Sequence, residues 1–379
     1  MKILTLCYEY PPLGGGAGRV AKSIAEGLAA RGHEVRFQTG GMPHLPKFER
    51  SGGVDVYRTN SFRKREEACS VFEMGLFVLM SFLPTLRHLR SWKPDVMHVH
   101  LAVPTGALAF AAHCVSGIPY VITAHLGDVP GALPDQTDRM FRVLNPFIRP
   151  IWKHADAISA VSEFVRRLAE AAYGCPCACI HNPIDLRGSA DTTPCLGHPL
   201  HLVSVGRFNP QKNFVLLAEA LAHLSDLDWR LTMIGDGEDM TAVKSTLERA
   251  GITSRVSLPG WLDATQVETI LAGADIFLIP SSAEGLSMAA LEALKHGLAI
   301  VGSDIGGLWD VIDDGVNGLR VPANDPTALA TKLRALLTDP ALVLRMKSAS
   351  RKKAREFDRD TIVHQYEQLL TKAAGRSLL

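Results

Sequence analysis

Asp275-Ile276-Phe277-Leu278-Ile279-Pro280 and, after Ser281-Ser282-Ala283, Glu284-Gly285-Leu286-Ser287-Met288-Ala289-Ala290-Leu291-Glu292 form the stretch whose reading decides the fold. Its first part is a short apolar run that stops at a proline, the mark of a buried strand. Residues 288–296 are good helix formers, and Gly297 closes them. A strand that passes through a loop into a helix is the repeating unit of an α/β fold. If the helix starts near Ser287, its first backbone N–H groups lack helical partners and Ser287 can cap them. Together they offer a seat for a phosphate group. Glu292 lies further along that helix, where its two oxygens can accept a forked pair of hydrogen bonds, as from the hydroxyls of a ribose. Eight helical residues would hold Glu284 and Glu292 about 12 Å apart, against about 5 Å for two carboxylates that act across one glycosidic bond. Two separate tasks fit that distance. So does a plain helix with one Glu near its start and one on its exposed side.

The strand-then-helix pattern repeats along 379 residues, enough for two cores. Strands are expected at 3–7, 35–39, 54–58, 96–100, 120–123, 157–161 and 177–181, then at 202–205, 230–234, 255–258, 276–279, 299–301 and 319–321. Helical stretches such as 18–31 and 163–173 fall between them. Between 182 and 199 the chain is rich in Pro, Gly, Asp, Thr and Ser, a linker signature. The expectation is α/β: two Rossmann-like, doubly wound domains, 1–190 and 191–355, facing a central cleft at the carboxyl ends of their strands. Residues 356–379 are expected as a C-terminal helix packing back on the first domain.

Composition narrows the function. Hydrophobic residues make up 47% and charged ones 21%, and the net charge of +1 excludes a nucleic-acid binder that needs a broad basic face. Residues 1–190 carry 21 basic and 16 acidic side chains, net +5; the remainder carries 19 and 23, net −4. The first half therefore favours anionic surfaces. Seven cysteines, an odd number behind an N-terminus unlike a secretory leader, point to reduced thiols in the cytosol. Cys175, Cys177 and Cys179, with His181 and Cys195 near, invite a zinc reading. Alternate strand residues share one face, however, and a second ligand pair is missing.

Two further segments carry chemistry. In Pro11-Pro12-Leu13-Gly14-Gly15-Gly16-Ala17-Gly18-Arg19, glycines such as Gly15 and Gly16 let backbone N–H groups approach an anion or a sugar, although a merely flexible turn has the same composition. Arg19 stands where the dinucleotide fingerprint needs its last glycine, and the second strand ends at Thr39-Gly40 without an acid, so NAD binding is disfavoured. In the second half, Val205-Gly206-Arg207-Phe208-Asn209-Pro210-Gln211-Lys212-Asn213 sets Arg207 at a strand end and Lys212 at a helix start. Arg as a fork and Lys as a point charge suit a diphosphate.

On these residues the chain resembles glycosyltransferase family 4, retaining enzymes of GT-B architecture that use a nucleotide-sugar donor. The matching segments are Val205-Gly206-Arg207 with Lys212-Asn213, Ile234-Gly235-Asp236-Gly237, Pro259-Gly260-Trp261, Glu284 to Glu292, and Asp314-Gly315-Val316-Asn317-Gly318. In the first half Pro11-Pro12 with the glycine run, Thr123-Ala124-His125 and Asn182-Pro183-Ile184-Asp185 also fit. Pro183 stands where the family usually has Gly, and Trp309-Asp310 where it often has Pro-Glu.

The resemblance implies an acceptor-binding first domain and a donor-binding second one. It implies that Arg207 and Lys212 hold the donor diphosphate with amides near Ser287 and Met288, and that Glu292 holds the ribose. Glu284 is implied near the hydroxyls of the donor sugar and His125 beside the reacting carbon, so His125, Arg207, Lys212 and Glu284 form the catalytic set. Gly15, Gly16, Gly235, Leu262, Gly285 and Leu286 complete the donor site. No metal or other cofactor is expected; the nucleotide-diphosphate sugar is a co-substrate, and the acceptor is a glycan, glycolipid or small molecule, as in polysaccharide biosynthesis. His125 also reads as a strand-end core histidine. A nucleotide-sugar epimerase of similar architecture, or a non-catalytic sugar-nucleotide-binding protein, would keep the same contacts. Finally, Arg63-Lys64-Arg65, the apolar run 71–83, and Arg87, Arg90 and Lys93 read either as a segment lying in an anionic membrane surface or as a buried helix of the first domain.

Overall fold

Apolar runs screened from water on both sides belong in parallel sheets covered by helices, and a computed structural model of the protein contains two such sheets. The structure describes residues 1–66, 69–132, 134–187 and 195–375, without the side chains of 134–140. Residues 188–194 of the expected linker lie outside that description. The chain divides into two units, Met1–Pro183 with Arg359–Leu379, and Ile184–Asp358.

The first unit contains β1 (Lys2–Leu6), α1 (Gly16–Ala30), β2 (Glu34–Gly41), β3 (Phe48–Ser51), β4 (Val54–Asn60), α2 (Val71–Ser91), β5 (Val96–His100), α3 (Ala107–Ser116), β6 (Tyr120–Ala124), α4 (Pro134–Lys153), β7 (Ala157–Ala160), α5 (Glu163–Tyr173) and β8 (Ala178–Cys179). Its sheet runs β3-β4-β2-β1-β5-β6-β7-β8. Every pairing is parallel except β3 with β4, an antiparallel edge hairpin absent from the sequence expectation. On the layer formed by successive crossovers α2 packs on α3, α3 on α4 and α4 on α5.

The second unit contains β9 (Leu200–Val205), α6 (Phe214–Ala222), β10 (Trp229–Ile234), α7 (Met240–Arg249), β11 (Val256–Gly260), α8 (Ala264–Ala272), β12 (Ile276–Ile279), α9 (Met288–Lys295), β13 (Ala299–Ser303), α10 (Gly306–Trp309), β14 (Gly318–Val321), α11 (Pro326–Thr338) and α12 (Pro340–Ala354). Its strands lie in the order β11-β10-β9-β12-β13-β14. Counted within the unit this is 3-2-1-4-5-6, whose direction reverses between β9 and β12, where Phe277 pairs with Val203. At such a reversal the following loops part and leave a crevice. The base of β12 is fixed by a buried ion pair, Lys347 Nζ on α12 to Asp275 Oδ1 at 3.0 Å. The other Asp275 oxygen accepts the His201 N–H at 2.9 Å, tying β12 to β9.

The last helix, α13 (Arg359–Ala373), belongs to the first unit and packs on α1. Glu367 accepts from Arg31 at 2.8 Å and faces His33 at 2.7 Å. The contact is close because a helix glycine, Gly27, meets Val363; a Cβ there would lie 2.4 Å from Val363 Cγ2.

Candidate active site

The loops after β9 and β12 meet at the reversal point of the second sheet. Gln211 knits them together: its carbonyl accepts the Ser282 N–H at 2.8 Å, and its side-chain amide donates to the Ala283 carbonyl at 2.8 Å. This brings Lys212 Nζ to 2.5 Å from Glu284 Oε1, which also accepts from Ser281 Oγ at 2.7 Å. The Glu284 side chain is 8% exposed and that of Lys212 21%. Gly206 leaves room for the Lys212 stem, whose carbons lie 3.4 Å from where a Cβ would stand. Arg207 is exposed just beyond the end of β9.

The helix reading at Ser287 holds in detail. Ser287 is the buried N-cap of α9, and its hydroxyl accepts the Ala290 N–H at 3.4 Å. Met288 and Ala289 are half-exposed, and their N–H groups belong to the first turn, where a helix provides no carbonyl partner. Gly285 and Leu286 are buried beside the cap, and Glu292 is half-buried one turn on. Close backbone approach explains the neighbouring glycines. A Cβ on Gly235, whose φ is +130°, would lie 1.9 Å from the Gly206 carbonyl oxygen, and one on Gly307 would lie 1.8 Å from the Glu284 carbonyl oxygen. Gly235 N–H donates to the Gly260 carbonyl at 2.9 Å. Leu262, half-exposed, and Trp261, exposed, follow that glycine. The unit thus assembles cations, a carboxylate and a helix N-terminus at strand ends, an arrangement able to hold an anionic group next to a polyol.

In the first unit the glycine turn is already occupied by the chain's own acid. Glu9 Oε2 accepts the Gly15 N–H at 3.0 Å, and a Cβ on Gly14 would overlap the Glu9 carboxyl. Gly15 is the N-cap of α1 and Gly16 its first residue. An external anion at that amide would have to replace Glu9, which the composition of the turn did not disclose.

His125 follows β6, buried, with its N–H donated to Asp128 Oδ2 at 2.8 Å. Its Nε2 stands 3.4 Å from His100 Nδ1. The His100 ring lies 4.3 Å from that of His98, and His98 Nε2 is 2.9 Å from Thr123 Oγ1. Burial lowers His125 to a pKa of about 4 and His98 to about 3, and His100 is held well below the usual imidazole value by burial and its two neighbours. The three rings are therefore neutral at pH 7. Asp128, sealed from water, is pushed up to about 7 although it accepts the His125 and Val103 N–H groups. His98, His100 and Asp128 escaped the sequence analysis. The alternation His98-Val99-His100 places both rings on one face of β5, a signal hidden in an apolar strand.

Two doubly wound units, the second with cations and a capped helix at its reversal point, define the GT-B architecture. The chain belongs to the group 1 glycosyltransferases of glycosyltransferase family 4. Residues 197–353 match the family described as glycosyl transferases group 1, and residues 14–187 match glycosyltransferase family 4. Glycogen synthase of Mycobacterium tuberculosis is 30% identical over 96% of this chain and 92% of its own length. N-acetyl-alpha-D-glucosaminyl L-malate synthase of Bacillus anthracis is 27% identical over 97% and 96%. Among solved structures, sucrose-phosphate synthase of Thermosynechococcus elongatus superposes with a TM-score of 0.85 at 20% identity, covering 99% of this chain and 100% of that one. Anabaena HepE in complex with UDP-glucose superposes with a TM-score of 0.75 at 19% identity, covering 98% and 100%. The protein is a glycosyltransferase.

Proposed function

We propose that the protein transfers a sugar, with retention of anomeric configuration, from a nucleotide-diphosphate sugar to a hydroxyl acceptor. The observation that carries this reading is the convergence of Lys212, Glu284 and the N-terminus of α9 at the reversal point of the second sheet. Cleavage of the anomeric C–O bond builds negative charge on the departing diphosphate. Arg207, Lys212 and the amides at Ser287 and Met288 are suited to stabilise it, and fixed cations of this kind replace a metal. Glu292 is assigned the ribose hydroxyls and Glu284 the hydroxyls of the donor sugar. Binding of a sugar there would let the Lys212 ammonium turn from Glu284 toward phosphate. His125 is assigned to the reacting carbon. The acceptor oxygen forms the new anomeric bond, and its proton leaves with the diphosphate. The proposed setting is the cytoplasm, where seven thiols stay reduced.

That Anabaena HepE was crystallised with UDP-glucose supports a nucleotide-sugar donor. The test is to incubate the protein with a panel of nucleotide sugars and hydroxyl acceptors in the presence of a chelator. Released nucleoside diphosphate is quantified, and the anomeric proton coupling of the product is read by NMR. Acceptor-dependent release with a product of the donor's own anomeric configuration is expected. An inverted product, donor turnover that needs no acceptor, or activity abolished by the chelator and restored by a metal would each contradict a part of the proposal.

A further inference from the structure

Helix α2 is turned the wrong way round for a protein surfaced only by water. Its buried side carries Glu73, Ser81, Thr85 and His88 along with Phe77 and Leu89. The Ser81 and Thr85 hydroxyls are sealed in without a hydrogen-bond partner among the described residues. Its outward side shows Phe72, Leu79, Met80 and Leu83, and Phe72 is 75% exposed and Leu79 67%. At about 100° per residue these side chains, with half-exposed Leu76, fall within an arc of roughly 100°, a continuous stripe. Arg87 and Arg90 extend the same stripe at the C-terminal end and are exposed.

Both ends of the helix are hollowed. Near its start a depression of about 550 Å³ is lined by Phe62, Phe72 and Leu76 with Lys64 and Arg65. Near its end one of about 400 Å³ is lined by Leu86 and Val115 with Arg90 and Lys93. Each is lined by apolar side chains together with two cations, and the first also by Glu73, whose carboxylate caps the start of α2. Arg63 does not take part. It is buried, its guanidinium donates to the Arg65 and Glu66 carbonyls, and it stands 3.8 Å from Glu9. The expectation that Arg63 contacts a membrane is thereby corrected, because the side chain is committed to holding the loop ahead of α2.

We propose that the outward face of α2 is a docking surface for an anionic lipid bilayer. Phe72, Leu79, Met80 and Leu83 enter the acyl boundary, and Lys64, Arg65, Arg87, Arg90 and Lys93 lie among anionic headgroups. A stripe of large apolar side chains bounded at both ends by cations is the pattern that gains from apolar burial and from headgroup charge together. No helix among the described residues is long and apolar enough to cross a membrane, so the contact lies in the plane of the surface.

The experiment is flotation of the full chain with phosphatidylcholine vesicles, with and without phosphatidylglycerol, at low and high salt. Wild-type protein is expected to float with the anionic vesicles at low salt and to be released by high salt. Arg87→Glu with Arg90→Glu should lower the partition coefficient about tenfold or more, and Leu79→Glu with Leu83→Glu should do the same. Phe48→Glu, on the exposed edge strand β3, should leave it unchanged. Melting temperatures report whether the variants are folded. Hydrogen exchange of residues 71–91 in wild-type protein, expected to slow when anionic vesicles are added, supplies a readout that needs no variant. Failure of wild-type protein to float, flotation indifferent to both double variants, or exchange in α2 unchanged by vesicles would overturn the proposal. So would sedimentation showing a dimer that Leu79→Glu with Leu83→Glu dissociates, since the face would then be covered by a second copy.

Discussion

Removing the Lys212 ammonium should destabilise the second unit because it strands Glu284. Lys212 Nζ and Glu284 Oε1 are 2.5 Å apart. At an effective dielectric near 20, unit charges at that separation attract by about 7 kcal/mol. Desolvation and side-chain ordering offset most of this, leaving a net coupling of about 1–3 kcal/mol for a carboxylate that is largely buried and a lysine that is partly exposed. Lys212→Ala should therefore lower stability by roughly 2 kcal/mol, because the carboxylate keeps the Ser281 Oγ hydrogen bond but loses its cation. Glu284→Gln keeps the shape and the Ser281 contact but loses the charge. In Glu284→Gln the further change Lys212→Ala should be nearly silent. The assay is urea unfolding of the four proteins, following a signal assigned to the second unit, because a two-unit chain need not unfold in one step. A coupling energy below about 0.5 kcal/mol would refute the pairing, since separate sites add within that margin.

Gly235→Ala drives a Cβ into the Gly206 carbonyl oxygen at a φ of +130°; it should destabilise by about 3 kcal/mol or more and abolish transfer, and a variant with wild-type melting temperature and turnover would contradict the packing described. Lys347→Ala leaves the buried Asp275 carboxylate without its cation and should cost about 3 kcal/mol, measured by denaturant unfolding, whereas a change under about 1 kcal/mol would mean that the pair does not hold β12. Acid should weaken the first unit. His98, His100 and His125 have folded pKa values below their unfolded ones, so the stability they contribute is complete above about 6.5 and is lost as pH falls toward the folded values of about 3 for His98 and about 4 for His125. Asp128, raised to about 7, acts oppositely and loses its contribution as pH rises through that value. Three groups outweigh one, so thermal melts should fall between pH 6.5 and 4, more steeply in Asp128→Asn, and flat melts would contradict the buried imidazoles.

What could be read in advance follows the physics of each element. β12 and α5 have the expected bounds because four consecutive apolar residues, or a Ser162 cap and a closing Gly174, leave few alternatives. β3 escaped because Phe48-Glu49-Arg50-Ser51 is polar, short and on an edge, with only Gly52-Gly53 to mark its turn. The Ser287 cap and the place of Glu292 on α9 were legible, since a strand leading into a helix fixes both locally. The Lys212 to Glu284 pair was not. It joins loops 72 residues apart, and only the order of strands, which no local pattern encodes, makes β9 and β12 neighbours. Glu9 folding onto its own glycine turn, and Asp128 beneath His125, were hidden for a related reason. A buried carboxylate has no sequence signature until its amide partners are known.

The proposed binding of a nucleoside diphosphate at the strand ends of the second unit, through Arg207, Lys212 and Glu292, is decided by calorimetric titration of UDP, GDP and ADP into wild-type protein and into Arg207→Ala, Lys212→Ala and Glu292→Ala. Saturable binding of at least one of the three without added metal is expected, weakened about tenfold or more in each variant, as loss of a charged hydrogen bond requires. Wild-type affinity retained in all three variants, with their folding intact, would contradict it.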